Sequence, residues 1–165
     1  MHRRPESLSR LASWSISEES FGRNLADFEH ALLQLTSRKS LSAAIEDAPI
    51  VLAGKFPTGK IADAWLAAYA EELAFRFDLD YPDWIWASER FLGKPYIHDS
   101  DSTKLRIWHT LKSPPSCSRR NLFVDLQLPP ISLRRGRPKK STFHKREMNR
   151  LRVARHRKRK KQSRL

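Results

Sequence analysis

The sequence predicts a mainly α fold: a single compact helical domain with a short extended segment, followed by a flexible basic tail. Three observations carry this. Apolar residues recur at helical spacing through most of the chain up to Lys112. Extended, strand-like character is confined to the piece Leu122-Phe123-Val124. The charge is divided unevenly: through Leu133 there are 16 Lys/Arg against 17 Asp/Glu, net −1, whereas Arg134 to Leu165 holds 16 Lys/Arg against Glu147 alone, net +15.

A chain of 165 residues suits one ordinary domain. Its near-neutral part can bury roughly two-thirds of the surface its unfolded form exposes. The tail has too few apolar residues to offset the entropy of ordering it. The organisation expected is an N-terminal helical region over 1–57, a helical core over 58–133 and a basic nucleic-acid-binding tail over 134–165.

Phe21, Leu25, Phe28, Leu32 and Leu35 are spaced by four, three, four and three, one face of a helix from Glu18 to Leu35 with Ser17 as N-cap. Leu41, Ala44, Ile45 and Ala48 line a second, short helix stopped by Pro49. The strongest pattern runs from Gly59 to Phe77, where Ile61, Ala64, Trp65, Ala68, Tyr69 and Leu73 share a face and Lys60, Asp63, Glu71 and Glu72 take polar positions. Trp84 and Trp86 are expected to pack, with a short helix over Ala87 to Leu92. Leu105, Trp108 and Leu111 mark a further helix over Ser102 to Lys112, and Pro129-Pro130 ends the body.

The stretch Gly54-Lys55-Phe56-Pro57-Thr58-Gly59-Lys60 has the glycine and lysine spacing of a phosphate-binding loop. That loop needs a Ser or Thr next, to bind magnesium, and free backbone amides around the phosphates. Ile61 occupies the hydroxyl position and Pro57 removes an amide. Leu122 to Asp125 would have to supply the downstream acid, yet the strands of the sheet are missing. A simpler account has Thr58 capping the helix that starts at Gly59, with Ile61 opening its buried stripe. The alternative, a small nucleotide-binding enzyme using Lys60 and Asp125, is the weaker reading.

Histidines at 2, 30, 98, 109, 144 and 156 form no pair with metal-ligand spacing, and His98 with Asp99 and Asp101 reads as a solvated turn. Ser116 and Cys117 have no activating base nearby in sequence. Neither an enzyme activity, a metal nor a cofactor is expected. One cysteine excludes an internal disulfide and a cysteine-rich zinc site. The start lacks the apolar core of a secretory signal, and Ala64 to Ala70 is too short to span a bilayer. The expectation is a cytoplasmic protein, nucleoid-associated if bacterial. Anionic lipid is the runner-up partner for the tail, set aside because the tail lacks the Leu-rich or aromatic face of an interfacial helix.

Arg135-Gly136-Arg137-Pro138 followed by Lys139-Lys140 is similar to an AT-hook core. Arginines on either side of a glycine can reach along the narrow minor groove of A·T-rich DNA, whose negative potential favours them, and the missing β-carbon permits close approach. Arg134, Lys145, Arg146, Arg150, Arg152, Arg155, Arg157, Lys158, Arg159, Lys160 and Lys161 are the remaining expected phosphate contacts. His144 to Lys161 has no helix breaker. Asn149 and Arg157 have a bZIP-like separation, but Arg152 and Val153 replace the small residues of such regions and no leucine heptads follow. DNA is favoured over RNA or ribosome contact because of the Arg-Gly-Arg-Pro core.

From Gly59 to Leu126 the chain resembles an uncharacterised bacterial domain of small regulator and antitoxin-like proteins. The shared pattern is the long helix, then Pro82-Asp83-Trp84, Glu89 to Leu92, Leu105-Arg106, Ser113-Pro114 and Arg119 to Asp125. The resemblance implies an antitoxin role with a protein partner, such as a toxin from a neighbouring gene. It points to Arg106, Arg119, Arg120 and Asn121 as a partner surface, with structural ion pairing as the competing role. The basic tail departs from the pattern. The function expected is thus a non-enzymatic DNA-associated regulatory or antitoxin-like protein, whose body binds a partner and whose tail binds DNA.

Overall fold

The computed structural model describes residues 4–98 and 101–133; Asp99 and the basic tail from Arg134 onward, with every nucleic-acid contact expected of it, lie outside the described residues. The described part is mainly helical. It comprises α1 (Leu8–Trp14), α2 (Glu18–Leu32), α3 (Arg38–Glu46), α4 (Gly59–Phe77), α5 (Thr103–Lys112) and α6 (Pro115–Ser118). Two 3₁₀ turns cover Asp83–Trp86 and Ser88–Arg90, and β1 (Tyr96–Ile97) runs parallel to β2 (Leu122–Phe123). Tyr96 pairs with Leu122 and Ile97 with Phe123, so α5 and α6 form the crossover between the two strands.

Serines start the first three helices. Ser7 accepts from the Arg10 amide, Ser37 from Ser40, and Ser17 with Ser20 forms a reciprocal capping box. Each such cap is worth about 1 kcal/mol. Helix α1 was not expected: Leu8, Leu11 and Ala12 are fully buried, but two turns are too few for a periodic signal. α2 stops at Leu32 rather than Leu35, and Leu35 packs on the core from the turn beyond. In α3, Leu41, Ala44 and Ile45 are buried as expected, whereas Ala48 is exposed beyond the helix end.

Helix α4 is the axis of the fold. The two 3₁₀ turns, α3, α6 and β2 pack against it, and the N-terminal helices contribute Leu8, Leu11, Phe28, Leu32, Leu41 and Ile45 to the same hydrophobic core. Its residues from Ala62 to Ala64 and from Leu66 to Glu71 are all buried. Asp63 and Glu71, expected at polar positions, are interior, because the elements packed against α4 cover both of them, while Lys60, Phe75 and Arg76 stay exposed. The helix ends where Asp78 adopts a left-handed conformation, φ 54°, as its C-cap.

One further expectation is corrected, and the helix expected over Ser102 to Lys112 is present with an unexpected orientation. Trp84 packs and donates its indole N–H to the Ile45 carbonyl, but Trp86 is about half exposed. In α5 the residues Leu105, Trp108 and Leu111 do not face the core: they are 44%, 51% and 78% exposed, and Ile107 is 55% exposed. The helix turns His109 inward instead.

Candidate functional site

The loop before α4 needs its two glycines for different reasons, one of backbone conformation and one of close approach. Gly54 takes a positive φ of 84°. A β-carbon on Gly59 would lie 2.0 Å from the Leu52 carbonyl oxygen, so only glycine lets the helix start there. Inside the motif, the amides of Lys55 and Gly59 already bond to the carbonyls of Leu52 and Phe56. Thr58 occupies the N-cap position but makes no side-chain cap bond, contrary to the expected capping role. Asp63, one turn into the helix, anchors the segment instead: its carboxylate accepts from Leu52 N at 3.0 and 3.1 Å and from Ala53 N at 2.9 Å.

The fourth bond comes from Arg90 Nη1 at 2.8 Å. The Arg90 guanidinium also donates to the Pro49 carbonyl and lies 5.2 Å from the centre of the Trp84 ring. Burial lifts the Asp63 carboxyl above its ordinary range and lowers the Arg90 guanidinium, each opposed by the partner's charge. The Leu52 and Ala53 amides, just ahead of the motif, thus face an internal carboxylate. Lys60 stands exposed, and Asp125 is exposed and bonded to Gln127; no ion pair joins the two among the described residues.

Three turns up α4, Glu71 binds two neighbouring arginines. Arg120 is fully buried and donates to Glu71, to the Ser116 carbonyl and to the Ile85 carbonyl at 3.0 Å, with the Phe91 and Trp86 rings 5.1 and 5.6 Å away. Arg119 reaches Glu71 Oε1 at 3.1 Å from the surface. Of the residues expected on a partner surface, Arg120 is therefore a structural core residue. Asn121 is half-buried, holds a positive φ of 57° and donates to the Leu92 carbonyl. Arg119 is part structural and part exposed, and Arg106 on α5 is exposed.

Beside this network lies a cleft of about 430 Å³, lined by Glu71, Glu72, Phe75, Tyr81, Trp86, Pro115, Ser116 and Arg119. Glu72 Oε2 accepts from the Ser116 hydroxyl at 3.1 Å, a pairing that sequence spacing could not reveal. Ser116 is buried, and a carboxylate alone is a weak activator of a serine. The adjacent Cys117 thiol is fully buried and pushed up to about 12, chiefly by burial, which leaves it protonated and inert at neutral pH.

His98 and His109, unpaired in sequence, meet in space with ring centroids 5.6 Å apart. No group of three or more His, Cys, Asp or Glu residues is arranged to hold a metal among the described residues. No helix of the described part is long and apolar enough to cross a membrane. No protein family, characterised protein or solved structure matches this chain.

Proposed function

We propose that the protein is a non-enzymatic, DNA-associated regulatory protein of antitoxin-like type, whose helical body binds a protein partner and whose arm, Arg134 to Leu165, binds DNA. The observation that carries the reading is the division of charge, −1 through Leu133 against +15 beyond it. A body of net charge −1 gains little overall from polyanion binding, whereas an arm of that charge releases many counterions on binding a duplex. The core Arg135-Gly136-Arg137-Pro138 supports the minor groove of A·T-rich DNA over RNA. The partner half is supported by large apolar side chains that the body leaves uncovered, Phe75, Tyr81 and Trp86 around the cleft among them.

Deleting residues 134–165 tests the DNA half. The truncated body should keep its far-ultraviolet circular dichroism and lose retention of an A·T-rich duplex in a gel shift. The full chain should lose affinity by roughly a thousandfold between 50 and 200 mM salt if six or more phosphates are neutralised. Unchanged retention after the deletion, or tighter binding of structured RNA at equal salt, would defeat the reading. The partner half predicts a stable complex with the product of a neighbouring gene when the two are co-expressed.

A further inference from the structure

Helix α5 presents its apolar side to solvent. Over its ten residues only His109 is buried, and the helix packs chiefly on the short strand β1. Ile107, Trp108 and Leu111 form the outward ridge, and Leu105, on the side of His109, is still 44% exposed. Every charge on the helix is basic, Lys104, Arg106 and Lys112, and no acidic residue occurs from Ser102 to Val124. Lys112 Nζ lies 5.1 Å from the centre of the Trp108 ring. Ile107, Trp108 and Leu111 on one face, Lys104 one turn before them on that same face with a stem long enough to keep its ammonium at the surface, and Arg106 and Lys112 to either side are the components of a helix that lies in a lipid headgroup layer.

We propose that α5 is a docking face for an anionic lipid surface, with Ile107, Trp108 and Leu111 entering the headgroup region and Lys104, Arg106 and Lys112 facing lipid phosphates. This goes beyond the DNA-and-partner reading and does not depend on it. Two competing occupants fit less well. A second copy would oppose three cations with three cations and offers no acid in return. A stable protein partner covers roughly 800 Å² of each side, more than the outer ridge of one short helix supplies. A bilayer needs no matching groove. Stable attachment of a peripheral protein takes two signals, and the chain carries both: the α5 face and the net +15 of residues 134–165. The apolar face missing from the arm stands on the body.

The experiment is flotation of the full-length protein with vesicles of phosphatidylcholine containing about one quarter phosphatidylserine, against phosphatidylcholine alone, at roughly 0.15 M salt. The wild type should float with the mixed vesicles only. The double substitution Ile107→Ser, Leu111→Ser should weaken binding by about tenfold or more with circular dichroism unchanged, since both side chains are exposed. Lys104→Gln with Lys112→Gln should weaken it as well and flatten its salt dependence. Gel shift of the same variants on A·T-rich DNA should match wild type, which separates failure here from failure of the DNA reading. Three outcomes overturn the proposal: a wild type that ignores the mixed vesicles, a serine variant that floats as well as wild type and so leaves all binding to the arm, or vesicle-independent loss of a protein partner by that variant.

Discussion

Asp63→Ala is the substitution that most directly tests how the body is held together. Asp63 is fully buried and accepts from the amides of Leu52 and Ala53 and from Arg90, itself 2% exposed. Removing one member of a buried ion pair costs about 3–5 kcal/mol, because the other charge stays in the interior unpaired. Two amides losing their acceptor would cost about 1–3 kcal/mol each if no water replaced it. The three losses share one site and are not additive, so about 4–6 kcal/mol is the expected total. Set against a whole-domain stability of roughly 5–15 kcal/mol, this removes a large part of the margin.

At about 3–5 °C per kcal/mol for a domain of this size, the melting temperature should fall by at least about 12 °C. Urea titration of wild type, Asp63→Ala, Arg90→Met and the double variant supplies the full cycle. The double variant should be more stable than the sum of the single losses by about 2 kcal/mol, because it leaves no unpaired charge. A loss below about 1.5 kcal/mol for Asp63→Ala, or strict additivity in the cycle, would refute the claim that this carboxylate anchors the loop ahead of α4.

The other predictions address neighbouring groups. Arg120→Lys should cost about 2–4 kcal/mol, since one ammonium cannot serve Glu71 and two carbonyls in the guanidinium's fork geometry, while Arg119→Ala should cost under about 1 kcal/mol; equal losses in chemical denaturation would contradict the assignment of Arg120 to the core. Cys117 should resist a thiol reagent in native protein at mildly alkaline pH and react fully once guanidinium is added, and stoichiometric native labelling would count against its burial. Burial raises the Glu29 carboxyl above its ordinary 4.5, against the pull of the Tyr69 hydroxyl bonded to it at 3.3 Å. The folded chain then keeps a proton that the unfolded chain has released, so this contribution is greatest below the ordinary value and is lost as pH rises through the folded one. The melting temperature of wild type relative to Glu29→Gln should accordingly fall as pH is raised above about 4.5, and a flat or rising difference would show the sign to be wrong.

Much of the helical skeleton was legible in the residues alone. The stripes of α2, α3, α4 and α5 and the Ser17 cap are written in local spacing, and all appear in the fold. The site was less legible. Asp63 and Glu71 read as surface positions because charge is the usual mark of exposure, and only the elements around α4 enclose them. Arg119 and Arg120 are indistinguishable as neighbours in sequence, yet one side chain is 45% exposed and the other fully buried. The apparent phosphate loop owes Gly59 to the Leu52 carbonyl, a contact across seven residues that no motif encodes.

What the sequence determined by itself is whatever depends on short range: helical periodicity, serine caps, the proline stops and the abrupt change of charge at Arg134. The first three follow from a repeat of 3.6 residues per turn, from side-chain oxygens that bond the first free amides of a helix, and from the missing amide of proline. Only the tertiary structure decided which side of a helix is inside. The stripes of α4 and α5 have the same period, but α4 is covered by several elements along most of its length, whereas α5 rests chiefly on one two-residue strand and turns its leucines, isoleucine and tryptophan to solvent. Periodicity is a property of one segment, and burial is a relation between segments far apart in the chain.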